Sequence, residues 1–502
     1  MTATASSNSQ KKEPNMTEKD VAVIFGGKQI ILPEGMNYDE GIEWIKRKQK
    51  EEETVVSISE KVHAFPLDGA VALTKVLKER YGWTRLVPTP GFFDSEPPAM
   101  IGVQVGPNDT IQVPWGNFKI PGIDGTLQTH WTKDEGRPIF QLIGNVKRKH
   151  EKEVKKIADE IRQTVKKESI YRGQAIRINF RDGQGERMTE FRADFTPRFI
   201  DTSKVRPDEL IYTKDTEDMV RVTLFNPVEH TQRCRKNGIP LKRGVLLEGP
   251  FGTGKTLTAH VLSLKCVQNG WTFLYLEDVR DLDLAMLFAR LYQPCVIFAE
   301  DVDRAMGGSR NSNVDRLLNT LDGVDSKHHD VMVVLTTNNK EIINPAFVRP
   351  GRIDAVIPVL PPDALVTVKL VRNYGKNSSG EPIIRATDEE LALAIEPLVG
   401  ANAAFIREAV ERAKLAAVSN DCGEDNSLVI DSAAVGIAAK SMAAHLKLLD
   451  TSKDLPPMNG MEFAGTIMCD QVGQSILRTL LSPQAISKVM IPLMKRETEQ
   501  VG

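Results

Sequence analysis

The stretch GVLLEGPFGTGKT, residues 244–256, decides the fold. Its first half is a short apolar run that reads as a buried strand. Its second half fits the phosphate-binding pattern G-x-x-x-x-G-K-[ST]. Glycine is needed there because the backbone turns too tightly for side chains, and the turn aims N–H groups at phosphate oxygens. A helix-compatible run follows over 257–267 and adds the positive end of a helix dipole. The expected cradle is Gly249, Pro250, Phe251, Gly252, Thr253, Gly254, Lys255 and Thr256, with Leu257 in the first helical turn. Lys255 supplies a charge for the β- and γ-phosphates, and the Thr256 hydroxyl is a ligand for Mg²⁺. This predicts an α/β core with a parallel sheet and a nucleoside triphosphate at its edge.

The downstream motifs narrow the reading. PCVIFAEDVD, residues 294–303, is an apolar run ending in acids. It reads as a buried parallel strand with carboxylates at its C-terminal end, where open α/β sheets bind ligands. DRLLNTLDG, residues 315–323, has the spacing of an amphipathic helix stopped by glycine. VMVVLTTN, residues 331–338, is another buried strand with a polar tip, and NPAFVRPGRID occupies 344–354.

In this order the motifs resemble the module of classical AAA ATPases over roughly residues 205–445. The resemblance extends to FtsH-type enzymes and to the mitochondrial AAA chaperones that insert the Rieske protein, which carry a similar E-D-V-D run. It implies an ATP hydrolase that uses ATP and Mg²⁺ and self-associates into a ring, expected to be hexameric. It implies that Glu300 takes the Mg²⁺ side with Thr256, that Asp301 polarises the attacking water, and that Asn338 bridges water and γ-phosphate. Arg349 and Arg352 match the fingers that a neighbouring subunit inserts. A lid signature at 398–409 makes Gly400 and Ala401 candidates for contact with adenine, and residues 237–244 match the segment bordering the base.

Two departures from the pattern matter. Most such modules read Asp-Glu where this chain reads Glu300-Asp301. Aspartate is shorter than glutamate by about 1.5 Å of reach. The intrinsic pKa difference of about 0.4 units is small beside positioning. The swap therefore bears on geometry, and an active site of reduced speed is expected. Peptide-threading rings also place an aromatic–apolar–Gly loop after the second strand. The stretch FLYLEDVRDLDL, residues 273–284, carries none, so the resemblance does not extend to grip-and-pull threading. The loop 306–313, rich in Gly, Ser and Asn, reads equally as pore-facing or as a connector.

Composition bounds the remaining possibilities. At 502 residues, with 41% hydrophobic and 26% charged residues, the chain has the makeup of a globular protein with more than one domain. A net charge of −2 gives no global attraction to nucleic acid. The five cysteines, at 234, 266, 295, 422 and 469, form no C-x-x-C pair and read as reduced. No run approaches a membrane span, no signal-peptide core is present at 1–20, and no H-E-x-x-H zinc-protease motif occurs. A cytoplasmic location is expected.

Along the chain, residues 1–20 read as a disordered tail. Residues 21–145 read as a β-rich or α+β N-terminal domain: a hairpin at 21–33 turning at Gly26-Gly27, helices at 38–53 and 67–81, and β-prone runs at 100–105, 110–113 and 138–143. Its aromatics, Trp83, Phe92, Phe93, Trp115, Phe118 and Trp131, read mainly as core. Residues 146–204 read as a charged helix, 146–168, followed by strand-like runs at 170–180 and 188–200 that form a small β unit. The basic cluster at 147–152 reads as a solvated face rather than a nucleic-acid contact. A helix at 226–236 leads to the phosphate loop. Residues 205–362 form the expected large α/β subdomain, closed by a strand at 356–359. Residues 363–445 form a helical lid with runs at 364–374, 388–395 and 401–419. Residues 446–502 form an extension with helix-compatible runs at 473–481 and 485–494. The reading is an ATP-driven remodeller of an unknown protein client, with a nucleotide-gated scaffold or a DNA-associated motor as alternatives.

Overall fold

The computed structural model describes residues 22–25, 28–32, 35–82, 85–86, 89–90, 95–96, 99–192, 195–303, 320, 329–339, 351–418 and 428–451. The chain divides into two compact units, residues 1–361 and 362–502.

The first unit begins with the hairpin β1 (Ala22–Phe25) and β2 (Lys28–Ile31), then α1 (Tyr38–Glu52), capped at Asn37 by a reciprocal capping box with Glu40. Next come β3 (Val55–Val62), α2 (Pro66–Tyr81), and the two-residue strands β4 (Arg85–Leu86), β5 (Thr89–Pro90) and β6 (Ser95–Glu96). β7 (Ala99–Gln104) and β8 (Thr110–Trp115) pair as a separate hairpin. β9 (Asn117–Lys119), β10 (Gly125–Asp134) and β11 (Arg137–Lys147) complete a five-stranded antiparallel sheet in the order β3-β11-β10-β9-β4. The tight β10–β11 turn places Glu135 at φ 50° and Gly136 at φ 77°, the pair of positive φ angles that a primed hairpin turn requires. α3 (Glu151–Glu168) buries Val154, Ile157, Ile161 and Val165, the stripe expected from its spacing. The helix starts later than expected because Val146 and Lys147 still belong to β11, in register with Val56 and Val55. Lys147 and Lys149 of the basic cluster are both paired with Glu53 and Asp124. Of the expected aromatics, Phe118 is fully buried and Trp115 and Trp131 partly so; Trp83, Phe92 and Phe93 lie outside the described residues.

The second sheet has seven strands in the order β13-β12-β15-β16-β17-β14-β18. They are β12 (Ala175–Ile178), β13 (Arg198–Phe199), β14 (Arg243–Glu248), β15 (Thr272–Leu276), β16 (Cys295–Ala299), β17 (Val331–Thr337) and β18 (Ala355–Pro358). All pairings are parallel except that of β13 with β12. The expected small β unit at 170–200 is thus corrected. Ile176 and Arg177 lie opposite Leu274 and Tyr275, so β12 extends the main sheet. Among the described residues of the run 188–200, Arg198 and Phe199 alone form a strand.

Alternation along the strands feeds two cores. Val245 and Leu247 join Phe273, Val296, Phe298 and Val334 on one face. Short helices α4 (Lys214–Val220), α5 (Asn226–Glu229) and α6 (Thr231–Lys236), together with α7 (Lys255–Gln268), lie along this side of the chain, and α7 contributes Ala259, Leu262 and Cys266. Leu246, Leu274, Ile297 and Leu335 point to the other face, where α8 (Leu282–Ala289) packs. That second core is continuous with the core of the antiparallel sheet. An aromatic group makes the join: Phe65 meets Tyr171, Phe195 and Phe288 at centroid distances of 5.9, 5.6 and 5.5 Å, and Tyr171 meets Tyr292 at 5.6 Å.

The second unit contains α9 (Ala364–Tyr374), α10 (Asp388–Ala394), α11 (Ala403–Val418) and α12 (Ser432–Thr451). Asp363 caps α9 by accepting from the Val366 amide, and Thr387 forms a capping box with Glu390. α12 runs through the expected boundary at 445/446. The expected tail at 1–20, turn Gly26-Gly27, loop 306–313, helix 315–323 (apart from Thr320) and helical runs 473–481 and 485–494 lie outside the described residues. Among the described residues no helix is long and apolar enough to cross a membrane.

Candidate active site

Loop 249–254 joins β14 to α7. Gly252 and Gly254 have φ 74° and 105°, values that side chains resist. A Cβ on Gly249 would sit 2.1 Å from the Val359 carbonyl, so this turn passes against the backbone after β18. Beneath the loop, buried Tyr212 donates to the Gly254 carbonyl at 2.9 Å and meets Thr258 Oγ1 at 2.6 Å. Lys255 is 7% exposed, and its ammonium donates to the carbonyls of Gly249 at 2.6 Å and Pro250 at 2.8 Å. Burial lowers its pKa from the ordinary lysine value, against the raising influence of Asp301, Asp303 and Glu300. Thr253 donates to the Pro250 carbonyl, Leu257 is partly buried, and Phe251 is exposed.

β16 is buried throughout and delivers the acids at its C-terminal end. Thr256 Oγ1 donates to Glu300 Oε1, and Tyr275 donates to Glu300 Oε2 at 2.8 Å. Asp301 stands at φ 51°, an uncommon conformation for a residue with a side chain. It is held there on two sides: its amide donates to Thr336 Oγ1 at 3.1 Å and its Oδ1 accepts from Asn338 Nδ2 at 2.6 Å. Asp303 Oδ1 accepts from Thr337 Oγ1 at 3.2 Å and the Asn338 amide at 3.3 Å, which fixes the polar tip of β17. Lys255, Thr256, Glu300, Asp301 and Asn338 therefore gather at the C-terminal edge of β14, β16 and β17, the ligand-binding edge of a parallel sheet. The donor set of Thr256 and Glu300 is all oxygen, which suits Mg²⁺.

Arg352 is elsewhere. A Cβ on Gly244 would fall 1.7 Å from the Arg352 carbonyl, so Arg352 lies at the N-terminal end of β14. At about 3.3 Å per residue, the strand separates it from Gly249 by about 17 Å. Asp354 anchors this end: it accepts from the amides of Gly244 and Gly351, each at 2.9 Å, and its own amide donates to the Gly244 carbonyl at 2.7 Å. Arg349 lies outside the described residues. Gly400 and Ala401 belong to the second unit. Gly400 has φ 81°, and its amide donates to the Pro362 carbonyl at 3.3 Å.

Sequence reasoning missed Tyr212, Tyr275, Thr336 and Asp303. For Tyr275 the available signal was a tyrosine among the apolar residues of a strand, a side chain with one polar end to satisfy.

Residues 245–360 match the model of the ATPase family associated with various cellular activities (AAA). A 26S proteasome regulatory subunit 8 homolog of Schizosaccharomyces pombe is 35% identical over 170 residues, 30% of this chain and 42% of the relative. The 26S proteasome regulatory subunit 10B of Dictyostelium discoideum is 33% identical over 200 residues, 36% of this chain and 49% of the relative. The 26S proteasome regulatory subunit 7 of Caenorhabditis elegans is 31% identical over 191 residues, 34% and 43% respectively. The chain spans less than half the length of these relatives.

Proposed function

We propose that this chain, whose residues 245–360 match the AAA family model, hydrolyses ATP to ADP and phosphate and couples this to remodelling of a protein client. The observation that carries the proposal is the convergence of Lys255, Thr256, Glu300, Asp301 and Asn338 at one sheet edge. Lys255 leaves its loop carbonyls to neutralise phosphate charge. Thr256 and Glu300 would hold Mg²⁺, which when bound neutralises charge on the β- and γ-phosphates. Asp301 accepts a proton from the attacking water, and Asn338, already on its Oδ1, orients that water. Gly400 and Ala401 are assigned to the adenine, and residues 363–445 to a lid, on the motif alone.

The distance of Arg352 from its own phosphate loop supports a role in trans, as does the same assignment for Arg349. Self-association into a ring, with six subunits as the working number, follows from that assignment. The relatives named as proteasome regulatory subunits support protein as the client class and a cytoplasmic setting. Residues 21–145 are proposed to select the client. Threading is not part of the proposal. The segment between β15 and α8 is pinned: Arg187 bonds to Asp281 and to the Arg280 carbonyl, and Arg280 to Asp278.

A second reading is a nucleotide-gated scaffold with little turnover. It is favoured by Asp301, whose short side chain is engaged by Asn338 at 2.6 Å. Substitution separates the two. Lys255→Ala should remove ATP binding, and Asp301→Asn should keep binding while lowering hydrolysis about 100-fold or more. Wild-type protein that binds ATP and releases no phosphate would favour the scaffold. Unchanged turnover in Asp301→Asn would remove Asp301 from its role.

A further inference from the structure

Glu300 has two carboxylate oxygens, and both are engaged. Oε1 faces the Thr256 hydroxyl, and Oε2 accepts from Tyr275 at 2.8 Å. Tyr275 comes from β15, one strand away from β16, where it lies opposite Phe298. Its ring is sandwiched. On one side it stacks on Phe298 at 6.2 Å and 17°. On the other, the Arg177 guanidinium lies 5.2 Å from its centroid. Arg177 belongs to β12, directly opposite Tyr275 in the parallel register, and is itself 3.8 Å from Glu277. The phenol is fixed in direction by neighbours on both sides and has its one donor on the carboxylate.

A hydrogen bond to one oxygen of a ligating carboxylate selects its rotamer and leaves the other oxygen for the metal. Such outer partners are worth about 10- to 100-fold in metal affinity. We propose that Tyr275 is a positioning residue of the Mg²⁺ site: it orients Glu300 through Oε2, and Arg177 of β12 holds its ring in place. The strand that precedes the phosphate loop by some seventy positions in the sequence is thereby part of the metal-binding apparatus. This rests on the reading of Glu300 as the Mg²⁺-side acid. The phenol remains a donor at neutral pH, because burial and then the adjacent Glu300 both raise its pKa.

The test uses the full chain and a fluorescent ATP derivative, with affinity measured in Mg²⁺ and in EDTA. The ratio of the two is the gain due to metal. Tyr275→Phe keeps the ring and removes only the hydroxyl, so the fold is retained. It should lower the metal gain about tenfold and leave the affinity in EDTA unchanged. Arg177→Leu should lower the gain by a smaller factor, about two- to fivefold, the value of an exposed cation–π contact. Glu300→Gln should lower it at least as much as Tyr275→Phe. A wild-type gain in Tyr275→Phe beside a reduced gain in Glu300→Gln would overturn the proposal and leave the reading of Glu300 intact. An equal loss in Mg²⁺ and EDTA would also overturn it, since that is a general structural effect. A full gain in Glu300→Gln would overturn the reading of Glu300 itself.

Discussion

Asp68 offers a quantitative test of how the antiparallel sheet and the nucleotide-binding sheet are joined. It lies in α2, 1% exposed, and accepts from Ser169 Oγ at 2.7 Å and from the Ile170 amide at 3.0 Å. Tyr292, which accepts from the Phe65 amide at 2.9 Å, reaches it from the bend before β16, and Arg172 adds a positive charge. Burial outweighs all of these and raises the carboxyl pKa from 3.8 to about 6. The folded state therefore holds this proton more tightly than the unfolded state. Stability from this group is fully present below about pH 4 and is lost as pH rises through 6. At the free-energy equivalent of one pKa unit, the whole change is about 3 kcal/mol, of which roughly half falls between pH 5 and pH 8.

Asp68→Asn removes the titration. It also disturbs the bond to Ser169, whose hydroxyl already accepts from the amides of Tyr171 and Arg172. That disturbance is a constant offset and cancels when two pH values are compared. The assay is urea-dependent hydrogen exchange in peptides covering 65–82 and 288–296, at pH 5 and pH 8, corrected for intrinsic exchange. The stability of the variant relative to wild type should rise by about 1 kcal/mol from pH 5 to pH 8. A difference independent of pH, or one of opposite sign, would refute the reasoning.

Three further outcomes are expected. Gly244→Ala places a Cβ 1.7 Å from the Arg352 carbonyl, so backbone must shift; stability should fall by about 1–3 kcal/mol, seen as a lower melting temperature. Tyr212→Phe removes the hydroxyl between Gly254 and Thr258, but the Gly254 carbonyl keeps its bond from the Thr258 amide at 2.9 Å. The stability cost should be about 1 kcal/mol, together with weaker ATP binding in a titration calorimeter. Mixing Asp301→Asn chains with Arg352→Ala chains should restore hydrolysis above either alone; no restoration would argue against fingers in trans.

The parts legible in the sequence were those under strong local constraint. Gly252 and Gly254 need positive φ, and Gly249 has no room for a Cβ. β16 and β17 are buried at every position, so they stand out as apolar runs, CVIFA before Glu300 and VMVVL before Thr336, Thr337 and Asn338. Less legible were features that depend on distant partners. AIRI, residues 175–178, does not reveal by pattern that it will add to β15 rather than stay in a local unit. Tyr275 reads as a strand aromatic until Glu300 is placed beside it. Asp68 looks like an ordinary first-turn acid, a position favoured by the helix dipole, and its partners Ser169 and Ile170 lie about a hundred positions away in the sequence. The segments 304–319, 321–328 and 340–350, which carry the expected helix and Arg349, lie outside the described residues.

The central claim is that this site turns ATP over and needs a second subunit to do so. The most direct test is phosphate release from saturating Mg²⁺–ATP across a wide range of protein concentration, with the molecular mass followed in the same samples. Specific activity that climbs as the assembly forms, and that Asp301→Asn abolishes, is the predicted result. Tight ATP binding with no phosphate release at any concentration, or a specific activity that stays constant from monomer to assembly, would contradict it.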